Sequence, residues 1–99
     1  MLLMKELLWT ETARRDLQQI YDYIAEDSVY YADKFVDELF GKVENLKLFV
    51  SVGRVVPEIQ REDTREIFHH SYRIMYKIDD EVIYVTQITH MAQDFQAHN

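Results

Sequence analysis

Two stretches of the chain share one apolar rhythm. Ala13, Leu17, Ile20, Tyr21 and Ile24 recur at helical spacing, and Ala32, Phe35, Val36, Leu39, Phe40, Val43 and Leu46 repeat it. The spacing predicts two amphipathic helices, over residues 11–26 and 29–48. Thr10 is placed to cap the first, with Glu11 in its first turn; Ser28 is placed to cap the second, after "EDS" interrupts the pattern. A link of two or three residues makes the pair an antiparallel hairpin. Gly41 lies inside the second helix at a cost of roughly 1 kcal/mol against Ala, which points to close packing of another element there.

Elsewhere the period is two. Residues 3–9 read as a short strand, and three more follow at about 64–69, 72–78 and 82–89, the last two joined by the turn "DDE". Between helices and strands, "SVGRVVPEIQRED" reads as loop, with a turn at Gly53 and with Pro57 biasing Val56 towards extended geometry. The expected fold is a single α+β domain over residues 1–99. An N-terminal strand and an antiparallel helical hairpin pack on one face of a mainly antiparallel sheet of about four strands. In "YRIMYKI", Tyr72, Ile74, Tyr76 and Ile78 then face the helices, and Arg73, Met75 and Lys77 the uncovered side. On that reading Arg73 is either a solvated charge or a group free to meet another molecule.

Composition narrows the function. With 99 residues, 47% of them hydrophobic, and only two Gly and one Pro, there is one core and no flexible linker. The absence of cysteine excludes disulfides, thiol catalysis and thiolate-bound zinc. "MLLMKELLW" is too short for a signal-peptide core, and no run approaches the ~18 apolar residues of a membrane span, so a soluble, cytoplasmic chain is expected. Met4 is an alternative start.

Charge matters through its distribution. A net charge of −7 argues against a protein that coats nucleic acid. Residues 54–77 are the exception, with five Lys/Arg against four Asp/Glu and with His69 and His70 beside them. Adjacent strand residues face opposite sides, so the two histidines do not form a metal pair. No cofactor and no metal are expected.

The segments "WTETARRDLQQIYDYIAED", "GRVVPEI", "REI", "YRIMYKI" and "ITHMAQD" resemble, in order and spacing, the RelE/ParE superfamily of bacterial toxins. The resemblance runs from about Trp9 to Asp94. It implies the toxin half of a type II toxin–antitoxin pair and a cognate antitoxin that wraps a segment around the toxin. It does not imply one mechanism. RelE-like and YoeB-like members cut mRNA in the ribosome, whereas ParE-like members act on DNA gyrase.

Cutting RNA through its own 2′-hydroxyl needs a base, a cation for the crowded phosphorane and an acid for the leaving oxygen. Matching the YoeB-like pattern places Glu58 at the base, Arg73 at the cation and His90 at the acid. Each has a structural alternative. Glu58 can pair with Arg54 or Arg61, His90 can hydrogen-bond where its strand ends, and Arg73 can hold a carbonyl or an antitoxin carboxylate. Tyr76 reads as core. Arg65, Arg73 and Lys77 are the candidates for phosphate or partner contact.

The departures favour the ParE-like branch. "HMAQD" lacks the second arginine of the RelE-like site, and the two lysines before "YR" find at most Arg65. The expectation is therefore a toxin acting on gyrase by protein contact. The alternatives are a ribosome-dependent, metal-independent endoribonuclease using Glu58, Arg73 and His90, and a non-catalytic decayed toxin that binds an antitoxin. In every case the antitoxin is expected over the hairpin or the open sheet face, covering Tyr30 or Tyr31 in a joint oligomer. Lys or Arg should face this acidic chain.

Overall fold

A computed structural model of the chain describes residues 4–92. Its elements run β1 (Glu6–Trp9), α1 (Glu11–Asp27), α2 (Val29–Glu44), a 3-10 turn (Asn45–Lys47), β2 (Arg54–Val55), β3 (Thr64–His69), β4 (Tyr72–Ile78) and β5 (Val82–His90). The α+β reading holds, with the hairpin, the three long strands and the "DDE" turn where the sequence put them. Residue 3 of the expected first strand lies outside the described residues, and the strand itself begins at Glu6.

Both caps form as expected. Thr10 Oγ1 accepts from the Ala13 N–H at 3.1 Å, and Ser28 Oγ from the Tyr31 N–H at 3.2 Å. Ser28 alone separates the helices, so the hairpin link is shorter than expected. The second helix ends at Glu44, four residues early, and tightens into the 3-10 turn. At Gly41 an added Cβ would meet nothing within 4 Å among the described residues, so none of their elements packs closely there.

The sheet has five strands in the order β1-β5-β4-β3-β2, one more than expected. The extra strand is β2, two residues of the presumed loop paired antiparallel with β3 through Arg54↔Glu66 and Val55↔Arg65. All neighbours are antiparallel except β1 and β5. β1 stops pairing at Trp9↔Val85, leaving the rest of β5 without a strand on that side. Helix α1 fills in, as Asp16 Oδ2 accepts from the Ile88 N–H at 2.9 Å and Thr10 Oγ1 donates to the Thr86 carbonyl at 3.1 Å.

The main core lies between the hairpin and the sheet. Ala13, Ile20, Phe35, Leu39, Val43 and Leu46 meet Ile74, Tyr76, Ile83, Val85 and Ile88. Tyr76 is wholly buried, and its hydroxyl donates to the Val50 carbonyl at 2.8 Å and accepts from the Gly53 N–H at 3.0 Å. Gly53 is required for space rather than for a positive φ. A Cβ there would stand 2.6 Å from both the Glu66 carbonyl and the Tyr76 hydroxyl.

The opposite face is less open than the sequence suggested. Met75 and Arg73 are buried on it, and Val56, at the head of the loop between β2 and β3, is buried too. That loop is fixed at its neck by the Val56 N–H on the Thr64 carbonyl at 3.1 Å.

Candidate functional site

On the face away from the helices, four charged side chains alternate in sign. The Arg54 Nε donates to Glu66 Oε2 at 2.7 Å, and the Arg73 Nε to Glu66 Oε1 at 2.7 Å. The two terminal nitrogens of Arg73 then grip Glu58, each at 2.8 Å from one carboxylate oxygen. Exposure falls inwards, since the side chains of Glu58, Arg73 and Glu66 are 37%, 10% and 0% exposed. A buried carboxylate is tolerated only when paired and hydrogen-bonded, and Glu66 receives an arginine on each oxygen. Arg54 also lies over the Phe68 ring, 5.0 Å from its centre.

Sheet geometry explains the cluster. Partners opposite each other in an antiparallel ladder share a face, and the ladder aligns Arg54 with Glu66 and Phe68 with Arg73. Glu58 arrives from outside the sheet, just beyond Pro57, in a turn where the Ile59 and Gln60 N–H groups both donate to the Val56 carbonyl. Gln60 closes that turn with φ 57°.

Arg73 therefore corrects the expectation of an available guanidinium. It is 8% exposed and holds two carboxylates of its own chain. Glu58 is paired, but with Arg73 rather than with Arg54 or Arg61. The bidentate Arg73 contact drops the Glu58 carboxyl to about 2, while Arg73 is pushed further up by Glu58 and Glu66. Glu66 is the hub that sequence reasoning missed. Its parity with Arg73 was visible only once the register was known.

His90 does not join them. β4 and β5 pair regularly from Tyr72↔His90 to Met75↔Gln87, then slip, so that Tyr76 faces Val85 and Thr86 is bulged. Strict alternation from the buried Ile83 would put His90 on the face of Arg73. The bulge reverses parity, brings Ile88 into the core and turns His90 to the helix side with Tyr72. There its ring meets Tyr72 edge-on, centroids 5.1 Å apart, and its Nδ1 accepts from the Ala92 N–H at 3.0 Å. Glu58 and Arg73 meet; His90 is on the other face of the sheet.

Among the remaining candidates, Arg65 is committed within its own chain. Its Nε and one terminal nitrogen bind the Glu62 carbonyl and carboxylate, and the other holds the Gly53 carbonyl at 2.9 Å. It braces the loop. Lys77 is exposed. Tyr30 and Tyr31 are 69% and 61% exposed, their rings edge-to-face at 5.3 Å.

His69 and His70 differ from expectation. His70 takes φ 52° beyond the end of β3, so the two rings meet at 4.5 Å rather than facing opposite sides. His69 is buried, its Nε2 on the Phe35 carbonyl at 3.1 Å; burial holds its pKa below 6.5. Among the described residues no group of His, Asp and Glu is arranged to hold a metal ion, and no helix is long and apolar enough to cross a membrane.

One large apolar groove is separate from the charged cluster. It has a volume of about 860 Å³ and runs along β1 and the hairpin, lined by Leu8, Trp9, Leu17, Tyr21, Val36 and Phe40 among others. Among the described residues the outer edge of β1 has no strand beside it.

Comparison with solved structures finds the same architecture. A chain of the chromosomal ParDE toxin–antitoxin system from P. aeruginosa superposes with a TM-score of 0.72 at 23% identity, covering 88% of this chain and 96% of that one. A chain of the RelBE2 toxin–antitoxin complex from Mycobacterium tuberculosis gives a TM-score of 0.56 at 26% identity, covering 94% and 98%. A search of curated proteins gives no match. The family described as "ParE toxin of type II toxin-antitoxin system, parDE" matches residues 7–95. With nearly its whole length aligned to that description, and with hairpin, sheet and edge strand in place, the chain belongs to the ParE family of type II toxins.

Proposed function

We propose that this toxin acts through protein contact on DNA gyrase and is neutralised by a cognate antitoxin. One observation carries the reading. The three groups that an RNA-cutting site would need are divided between the two faces of the sheet. Glu58 and Arg73 neutralise each other on one face, and His90 packs on Tyr72 on the other. A carboxyl held near 2 is a weak proton acceptor at neutral pH. The acidic charge also disfavours a target rich in phosphate.

The antitoxin fits the groove beside β1. Apolar walls and an unpaired strand edge suit an extended or helical segment of another chain. Exposed acids on the hairpin, among them Asp27, Asp33, Asp37 and Glu44, suit Lys or Arg on that segment.

Gyrase supercoiling in the presence of purified toxin tests the target. Inhibition at micromolar toxin, reversed by antitoxin, is expected; unchanged supercoiling overturns the reading. The proximity of Glu58 to Arg73 favours, as a second reading, the ribosome-dependent endoribonuclease. It requires His90→Ala and Arg73→Ala each to relieve growth arrest with the fold intact. Harmless expression of soluble toxin without antitoxin would instead identify a decayed, antitoxin-binding module.

A further inference from the structure

We propose that Leu48, Phe49, Val52 and Phe68 form the surface through which this toxin grips its protein target, apart from the groove that takes the antitoxin. The proposal rests on the protein-contact reading above. All four side chains are exposed, the first three by 61%, 57% and 61%, and apolar groups gathered on one patch mark a site of association. Val52 and Phe68 line one shallow hollow of about 380 Å³. Phe49 and Val52 belong to one tight turn, with the Val52 N–H on the Phe49 carbonyl at 3.1 Å. The sheet leaves room there, because β2 pairs with β3 only as far as Glu66; among the described residues no strand lies beside Phe68 on that side. The turn is also held in place. The buried Tyr76 hydroxyl donates to the Val50 carbonyl and accepts from the Gly53 N–H, on either side of Val52. A patch presented in one shape binds without first being ordered.

Charge identifies what covers the patch. Lys42 Nζ donates to the Phe68 carbonyl at 3.1 Å, and Arg54 lies over the Phe68 ring. Two cations thus bracket the ring in a chain of net charge −7. Lys47, just before Leu48, adds a third, paired with Glu44 at 2.8 Å. The fitting occupant is a protein segment whose apolar side chains are flanked by Asp or Glu. The antitoxin does not fit this description. The acids of the hairpin call for a basic segment, which the cations around Phe68 would repel. Helix α2 divides the two sites. Its Phe40 meets Trp9 at the groove, centroids 5.5 Å apart, while Lys42, two residues on, reaches Phe68.

The test uses purified gyrase, purified antitoxin and expression of the toxin alone. Phe49→Ser combined with Val52→Ser removes only exposed groups. The double variant is expected to weaken gyrase inhibition at least tenfold, relieve growth arrest and keep antitoxin affinity within twofold of the wild type. Lys42→Glu, a reversal of charge, should weaken inhibition too, and most at low salt. Inhibition and arrest undiminished in a folded double variant overturn the proposal. A tenfold loss of antitoxin affinity overturns it as well, by placing the antitoxin on the patch. Should the double variant fail to fold, Lys42→Glu decides by the same readings. The target and the patch fail separately. Where the wild type leaves gyrase untouched yet arrests growth, gyrase is the wrong target and arrest alone judges the patch. Relief in the folded variants then supports it, and persistence overturns it. Harmless expression of the wild type overturns both.

Discussion

Glu58 and Arg73 meet through two parallel contacts of 2.8 Å, and Glu66, on the neighbouring strand β3, holds the guanidinium from behind. One loop residue is thereby tied to three strands. The charges are graded in depth, so their removal should be graded in effect.

Glu66→Gln is expected to destabilise the protein by about 3–5 kcal/mol, because it leaves two arginines around a site that has lost its charge. Arg61→Ala, which breaks the exposed Arg61–Asp63 pair, should leave stability close to that of the wild type. Urea midpoints measure both. Similar losses for the two variants would contradict the buried-hub description.

The two glycines should respond with opposite signs. Gly53→Ala forces a Cβ to 2.6 Å from a backbone oxygen and the Tyr76 hydroxyl, and should cost about 1–3 kcal/mol. Gly41→Ala enters open space in a helix and should gain up to about 1 kcal/mol. Thermal unfolding of the two variants decides the matter.

How much of this was legible in the sequence depends on which rule each element obeys. The hairpin was readable because its apolar stripe and both capping hydroxyls are local signals. β2 was not, since two residues carry no periodicity and pair only because β3 offers an edge. Arg73 was assigned the right face of β4, but its burial depends on a loop returning over the sheet. His90 was the hardest. Its side follows from the bulge at Thr86, a register event that "VIYVTQITH" does not announce until Ile88 is seen to need the core.

The Glu58 carboxyl, held at about 2 against an ordinary 4.5, gives the acid limb a direction. Its contribution is complete above about pH 4.5 and is lost as pH falls towards 2. Allowing for solvent screening of a partly exposed group, it amounts to about 1 kcal/mol. Glu58→Gln should flatten stability across that window, as read by urea unfolding at successive pH values. An unchanged slope would contradict the pairing.

His69 acts at higher pH. Burial lowers its pKa, so the unfolded chain takes a proton below about pH 6.5 that the folded chain refuses. Stability should therefore fall as pH drops below about 6.5, and level off beneath the lowered value. His69→Gln should remove that step. A wild-type profile flat between about pH 7 and pH 5 would exclude a neutral buried ring.

Tyr30→Ala and Tyr31→Ala touch no core. Each should change stability by less than about 0.5 kcal/mol. If they lie under the antitoxin, each should weaken its binding at least tenfold by calorimetry. Unaltered affinity in the double variant would confine the antitoxin to the groove beside β1.

The single parallel ladder joins β1, the first strand described, to β5, the last, with Glu6 opposite Val82. During synthesis the helices and the middle hairpin can form from nearby residues, yet β1 has nothing to pair with until the final strand emerges. Closure across so wide a sequence separation is slow. A chain halted before Val82 would keep its leading strand unzipped, so the sheet closes only after β5 has been made.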